Sequence, residues 1–355
     1  MNLTAPASVS LLGLGTALPP HPLPQSTVVE HARRLLGPKY PAFERLVPAF
    51  ENAGVEMRHS VMPLKWYAED HGWSERMAAY LPAATQLFID AASAALADAG
   101  LDALDVDTIV TVSSTGIATP TLEAQATGRM GFRADVARVP VFGLGCAGGV
   151  TGLSLARTLA AAQPGRTVLL VVVETCSLSF RTDRMQKADI IATVLFGDGA
   201  AAAVVRAGDG PVTLDPGFEH MWPDTLAIMG WDVDDTGLGV VFDRSIPEFV
   251  RENFRPAVLG MLKAANQPLE EINRFVCHPG GAKVLDAIEH TMDLTSGALD
   301  AERRVLKMAG NMSAPTVLFV LKDVLAHGHT GRMALAALGP GFTAALMPFT
   351  VRAAA

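Results

Sequence analysis

The chain repeats itself at one fixed offset. Leu104 and Leu269, Ser113 and His278, and Cys146 and Asn311 each stand 165 positions apart. In the first half a helical pattern (Leu87, Phe88, Ala91, Ala95, Leu96) stops at Gly100 and leads through Leu104 into the apolar run Thr108 to Ser113. In the second half a helical pattern through Val258, Leu259, Leu262 and Lys263 leads through Leu269 into Arg274 to His278. The next unit recurs as well. Gly143-Leu144-Gly145-Cys146-Ala147-Gly148-Gly149 opens an apolar helix reaching Leu159, followed by Gly165 and the strand Val168 to Val173. Its counterpart, Ala309-Gly310-Asn311-Met312-Ser313-Ala314-Pro315, opens a helix reaching Leu325, followed by Gly328, Gly331 and the strand Met333 to Leu338. A register held over three landmarks without a gap marks a duplicated unit. Strands alternating with helices predict α/β layers and parallel pairing. The second half begins near Gly210-Pro211, which divides the chain into residues 1–210 and 211–355.

Length agrees with two such units, since 355 residues is about twice an ordinary domain. Half of the residues are hydrophobic and only 18% are charged, which excludes a disordered chain. A net charge of −8 excludes a global basic footprint for nucleic acid. The most apolar strip, Thr167 to Val173, is interrupted by Glu174 after seven residues, whereas a membrane-spanning helix needs ~20. No basic segment opens the chain as in a secretory signal, and Val9 to Gly13 reads as a buried first strand. The pair Arg33-Arg34 belongs to a solvated helix face. Three cysteines make no disulfide framework and fit a reducing compartment, the cytoplasm.

Three side chains fall at the ends of elements, where sheets present ligand sites. Cys146 precedes a helix, and the positive end of a helix dipole lowers a thiol pKa. Flanking glycines leave room for a sharp turn and a substrate carbonyl. Free cysteines are commonly buried structural residues, and Cys277 and Cys176 fit that reading better. His278 ends a strand and is followed by the turn Pro279-Gly280-Gly281; as a lone histidine it reads equally as a capping or surface residue. His327 and His329 close a helix as favourable C-terminal charges, and no spacing suggests a metal cage. Asn311 lies just before the helix that Pro315 starts, with Ser313 as its N-cap. The repeat makes Asn311 equivalent to Cys146, so duplication brings both helix ends together with His278 beside them. A thiol, an imidazole and an amide at one point suit acyl-thioester chemistry, in which one carries the acyl group and two donate to a developing enolate.

At these residues the chain resembles the thiolase-like condensing enzymes, and among them the type III polyketide synthases of the chalcone synthase family. The resemblance covers nearly the whole length. The segment Gly143 to Gly149 is similar to the nucleophile motif, His278 to Gly281 to the histidine motif, and Gly310 to Ser313 to the asparagine motif. Phe196 to Ala200 matches an FGDGA segment, and Gly339-Pro340-Gly341 matches the end of a GFGPG loop. The resemblance implies a thiolase-like α/β fold, with two duplicated halves forming an α-β-α-β-α sandwich. It implies a catalytic triad of Cys146, His278 and Asn311, with Phe196 and Phe242 as gating aromatics. It places Ser114, Thr119, Cys176, Ser179 and Ser313 on the pocket, although Ser313 also reads as a helix cap, and offers Arg58 for the CoA phosphates. Thr119-Pro120 falls on a loop that reaches the partner subunit in plant members, which implies a homodimer.

The implied activity loads an acyl-CoA starter on Cys146 and extends it with malonyl-CoA by repeated decarboxylative condensation. The product closes to a pyrone or a resorcinol-type ring. CoA thioesters are substrates, and no cofactor or metal is implied. Ala337-Leu338 replaces the start of the GFGPG loop, and Cys176 and Thr119 replace a threonine and a methionine. These departures, with Glu174 to Leu178, resemble bacterial members that accept aliphatic starters. The alternatives are a ketoacyl-ACP synthase III-like enzyme performing one condensation, a Cys-His-Asn hydrolase, and a non-catalytic acyl-CoA-binding protein of the same fold. The first reads Asn-Thr-Ser where this chain has Asn311-Met312-Ser313. The second lacks both the local cysteine signature and a place for the repeat, and the third is marked by loss of a triad member.

Overall fold

The computed structural model describes residues 8–40, 42–183 and 187–353. The repeat is visible in its elements. Helices Trp73–Ala99 and Ile246–Ala264 end 165 residues apart, as do strands Thr108–Val112 and Arg274–Cys277. Each half carries a sheet. In the first, the order is Ala137–Val141, Thr108–Val112, Thr167–Thr175, Asp198–Ala207 and Val9–Ala17. In the second it is Arg274–Cys277, Gly331–Gly339, Thr343–Val351 and Val212–Leu214, with Phe218–Met221 added beside Thr343–Val351. The second half has no strand equivalent to Ala137–Val141; helix Asp300–Ala309 occupies that stretch. Residues Val9 to Leu11 pair antiparallel with Leu214 to Val212 and join the two sheets at a short ladder.

Pairing is mixed where the helix–strand alternation predicts parallel. Thr108–Val112 is parallel to both of its neighbours, and Arg274–Cys277 is parallel to Gly331–Gly339. Asp198–Ala207 and Thr343–Val351, however, run antiparallel to their neighbours. For Thr343–Val351 the reason is local. Gly339-Pro340-Gly341 forms part of a tight hairpin turn, and antiparallel strands can be joined by a turn too short for any crossover helix.

Three apolar clusters define five layers. Helix Trp73–Ala99 covers the outer face of the first sheet, burying Tyr80, Phe88, Ala91 and Ala95 against Ile109, Leu169 and Val204. Helices Ile246–Ala264 and Ala282–Thr291 cover the outer face of the second. Between the sheets lie the two helices that the repeat equates, Gly148–Ala162 and Thr316–Ala326, with Leu153, Ala156, Leu318 and Val320 fully buried. Among the described residues no helix is long and apolar enough to cross a membrane.

The central helices approach closely because one position has no side chain. A Cβ on Gly149 would stand 2.3 Å from the carbonyl oxygen of Ala314 and 2.6 Å from a methyl of Val317. Both sites belong to the opposing segment, so neither yields without moving it. We therefore expect Gly149→Ala to lower the thermal midpoint, by an overpacking cost of about 1–3 kcal/mol. Gly128→Ala, where an added Cβ meets nothing within 4 Å, should leave it unchanged or raise it slightly. Equal midpoints for the two variants would refute the close approach.

Candidate active site

Cys146 sits on the single 3-10 turn Gly145–Ala147 that runs directly into helix Gly148–Ala162. Gly145 there has φ +48°, and a Cβ on it would come within 2.6 Å of the Pro340 ring. The hairpin turn of the second half thus presses on the nucleophile turn of the first. From the other side Ser114 holds it. Ser114 Oγ accepts the backbone N–H groups of Gly143 and Gly145, each at 3.2 Å. Ser114 N–H in turn donates to both carboxylate oxygens of Glu174 at 3.1 and 3.0 Å, and Thr115 Oγ1 donates to the same group at 2.8 Å. Glu174 is fully buried, and burial pushes its pKa up to about 8. The sequence marked Glu174 only as the end of an apolar strip; an acidic residue inside such a strip was the available sign of a buried anchoring group.

His278 follows strand Arg274–Cys277, its backbone N–H donating to Ala336 at 2.8 Å. Asn311 is fixed from three directions. Its backbone N–H donates to Leu195 O and its carbonyl accepts from Gly197 N–H, both at 2.9 Å, which knits it to the segment around Phe196. Its side-chain Oδ1 accepts the N–H of Ser313 at 2.8 Å, and this leaves Nδ2 to donate to Gly280 O at 3.3 Å. The amide donor therefore faces the turn that follows His278. Cys146, His278, Gly280 and Asn311 line one cavity, closed by Phe242, Phe254 and Ile288. Both ring nitrogens of His278 are buried with no hydrogen-bond partner among the described residues. Buried polar atoms are normally paired, so this ring and the amide form donors and acceptors facing a ligand space.

Burial also sets the charges. It pushes the Cys146 thiol up to about 11, against the lowering expected from its place at a helix N-terminus. The dipole contributes at most ~2 kcal/mol, whereas a desolvated lone thiolate costs several. Burial pushes His278 down to about 3. Each ion alone is disfavoured, but an imidazolium and a thiolate formed together neutralise one another. The two side chains line one cavity with no hydrogen bond between them, so a proton transfer from sulfur to ring is an expectation that the following comparison tests. In His278→Gln the thiol has no proton acceptor, so its alkylation by iodoacetamide should rise about tenfold per pH unit toward pH 11. The wild type should depart from that line and react faster near neutral pH. Superimposable profiles would show that His278 does not serve Cys146.

A second cavity adjoins the first, sharing Cys146, Met229 and Phe242, and is lined by Ser114, Cys176, Phe196 and Ser313. A third shares Cys176, Phe196 and Val240 with the second and includes Ser179. Phe196 and Phe242 therefore stand at the two joints of a three-part interior. Cys176 is buried at the joint, and Ser179 Oγ donates to its carbonyl at 2.6 Å. Cys277 is buried in the sheet on the outer side, facing that helical layer. The hairpin Met229–Val233 and Leu238–Phe242, which supplies Met229, Trp231 and Val240 to these walls, carries no motif and escaped the sequence.

Three residues differ from expectation. Ser313 does not cap the helix, which starts at Thr316 with no side-chain cap. Thr316 Oγ1 instead accepts the Met312 N–H at 3.0 Å and donates to Ser313 O at 2.7 Å. That frees Ser313 Oγ to meet the Cys146 sulfur at 3.5 Å. Thr119 lies on an exposed loop and lines none of the three cavities of its own chain. Arg58 is not a surface arginine available to CoA phosphate. It is 4% exposed, and its guanidinium donates to Thr193 O at 2.5 Å, Val194 O at 2.6 Å, Phe196 O at 3.1 Å and Gln25 Oε1. These carbonyls end helix Lys187–Leu195, whose last turn carries no basic residue of its own, so the Arg58 cation caps it together with Gln25 Nε2, which donates to Val194 O at 3.2 Å. Arg58→Ala should lower the thermal midpoint by an amount equivalent to about 2–4 kcal/mol, because it strands buried carbonyls. An unchanged midpoint with weakened CoA binding would restore the phosphate role.

Comparison with known proteins shows the family. Residues 2–210 match the N-terminal domain of chalcone and stilbene synthases, and residues 214–347 match their C-terminal domain. A 1,3,6,8-tetrahydroxynaphthalene synthase of Streptomyces peucetius subsp. caesius is 40% identical over 94% of this chain and 91% of its own length. A putative chalcone synthase of Bacillus subtilis is 33% identical over 96% of this chain and 98% of its own. The crystal structure of a 1,3,6,8-tetrahydroxynaphthalene synthase from Streptomyces coelicolor, a bacterial type III polyketide synthase, superposes with a TM-score of 0.92 at 29% identity, over 97% of this chain and all of that one. The chain belongs to the chalcone and stilbene synthase family: it is a type III polyketide synthase of thiolase-like fold, an acyltransferase that works by decarboxylative condensation of CoA thioesters.

Proposed function

We propose that Cys146 carries the growing acyl chain and that His278 and Asn311 bind and polarise the malonyl thioester. The observation that carries this reading is the single cavity lined by all three side chains. His278 first takes the Cys146 proton as the thiolate attacks the starter thioester, and CoA leaves. The carbonyl of malonyl-CoA then accepts from the imidazole and from Asn311 Nδ2. Loss of carbon dioxide places charge on that oxygen, and the two donors hold the enolate until it attacks the acyl-cysteine. Apolar walls exclude the water that would protonate it. Ser114, Cys176, Ser179 and Ser313 shape the space for the elongating chain, Phe196 and Phe242 gate it, and no cofactor is needed.

The starter is an aliphatic acyl-CoA and the product a pyrone or resorcinol-type ring. Val28, Ala32, Leu64 and Phe180, the apolar wall of the third cavity, support this. A second reading has its own support in the relatives named as tetrahydroxynaphthalene synthases. A naphthalene ring oxygenated at alternate carbons is what folded ketide units give with no alkyl starter left over. Mass spectrometry of products from malonyl-CoA alone, and from malonyl-CoA with acyl-CoAs of graded length, separates the two. Alkyl-bearing products that displace those from malonyl-CoA alone support the aliphatic reading. Products unchanged by any added acyl-CoA contradict it.

The chain works as a homodimer in a reducing compartment such as the cytoplasm. Exposed Ile117 and Phe142 beside the Thr119 loop supply apolar surface for a partner, and all three cysteines are free and buried. Light scattering on the purified protein tests the dimer; a monomer at micromolar concentration contradicts it.

A further inference from the structure

The third cavity carries chemistry that an alkyl chain would not use. Its wall includes helix Gln25–Leu36, the segment of Tyr67 and the turn Cys176–Ser179. Two buried polar side chains of that wall, His31 and Arg58, each keep a nitrogen without a hydrogen-bond partner among the described residues. His31 is 9% exposed, and its Nε2 is buried with no hydrogen-bond partner among the described residues. Its Nδ1 lies 3.0 Å from Nη2 of Arg34. A guanidinium only donates, so Nδ1 accepts and the proton of the neutral ring is assigned to Nε2. Burial and the neighbouring Arg34 both disfavour a second proton. Arg58 engages Nη1 and Nη2 with carbonyls, but its buried Nε–H has no partner among the described residues. Other polar groups of the wall are engaged. Ser179 donates to Cys176 O, Ser177 to Asp198, Arg181 to Asp183 and Asp234, and Thr193 to Asp189 O. The wall thus presents two buried N–H donors with no acceptor of their own, one neutral and one cationic. Neither has a part in the chemistry at Cys146.

We propose that the third cavity binds the distal part of the acyl chain, and that His31 Nε2–H and Arg58 Nε–H select a chain bearing a carbonyl or carboxylate oxygen there. The inference rests on the loading of Cys146 proposed above, and on the joint at Cys176, Phe196 and Val240 that the two cavities share. A buried donor left empty costs about 1–3 kcal/mol, so a site built to bond an oxygen disfavours the chain that lacks it. An aliphatic chain with a distal oxygen meets both the apolar wall and these donors, whereas an all-methylene chain leaves both donors empty.

The test uses Cys146→Ala protein, which holds thioesters unreacted, with calorimetric binding of hexanoyl-CoA and its ω-carboxylate counterpart adipyl-CoA. Arg58 also caps a helix, so His31 carries the test. His31→Leu should cut the preference for adipyl-CoA over hexanoyl-CoA by about tenfold, and His31→Gln, which keeps an N–H, should restore most of it. Equal weakening for both thioesters would place the donors on the CoA arm they share and overturn the proposal. An unchanged ratio, or no binding of either thioester, overturns it too. Intact mass of wild-type protein mixed with each thioester reports separately whether Cys146 is loaded, so failure of that reading is seen independently.

Discussion

Cys146→Ala should make no polyketide at all, yet should still release carbon dioxide from malonyl-CoA. In the proposed mechanism the sulfur is the attachment point for the chain, and neither other cysteine lines the cavity of His278 and Asn311: Cys176 is buried at a neighbouring joint and Cys277 faces the outer layer. Decarboxylation asks something different of the site. It needs donors where enolate charge develops, and the proposal assigns these to the His278 ring and Asn311 Nδ2, both untouched by the substitution. The variant should therefore turn malonyl-CoA into acetyl-CoA, followed by chromatography of the CoA esters. Loss of both activities together would mean that the cysteine is needed to assemble the donor pair, and the assigned division of labour would be wrong.

The second large effect is the converse. Asn311→Ala removes one of two preorganised donors, and such a loss costs about 10²–10³ in rate. Malonyl-CoA decarboxylation should fall by that factor while acylation of Cys146 by a starter survives. His278→Gln should show both defects, because the proposed mechanism gives the ring two roles, proton acceptor for the thiol and donor to the enolate. Its loading defect should ease as pH rises, since the thiol, raised by burial, ionises unaided only in strongly alkaline solution. Stopped-flow loading measured beside steady-state CO₂ release separates the two steps. Equal losses of both steps in Asn311→Ala would contradict the assignment of Asn311 to the enolate.

The sequence exposed the parts of this architecture that repeat or carry a motif. A constant offset of 165 residues reflects helices and strands that end in register in both halves, because each half buries the same faces in the same order. It could not reveal that Asp300–Ala309 is a helix where the first half has strand Ala137–Val141, since that stretch holds no landmark. Pairing direction was missed at Thr343–Val351 because a three-residue turn, rather than the helix–strand rhythm, decides it.

Side-chain function followed the same division. Cys146, His278 and Asn311 stand at element ends, where position is fixed by the fold, and the structure brings them to one cavity. Arg58 and Ser313 turned on environment. An arginine is read as a surface cation until the carbonyls that end a helix are found around it. A serine before a helix is read as its cap until Thr316 is found engaging the backbone there. His31 shows the same limit from the other side, since nothing in its sequence neighbours announces an unpaired ring nitrogen.

The most direct measurement is the mass of the Cys146 peptide during turnover. Enzyme supplied with starter and malonyl-CoA is quenched after successive intervals and digested, and the peptide containing Cys146 is weighed. The account predicts a ladder on that peptide, beginning at the starter and rising by one ketide unit per step, absent from the peptides of Cys176 and Cys277. A single acyl mass that never grows, or a ladder carried by another cysteine, would contradict it.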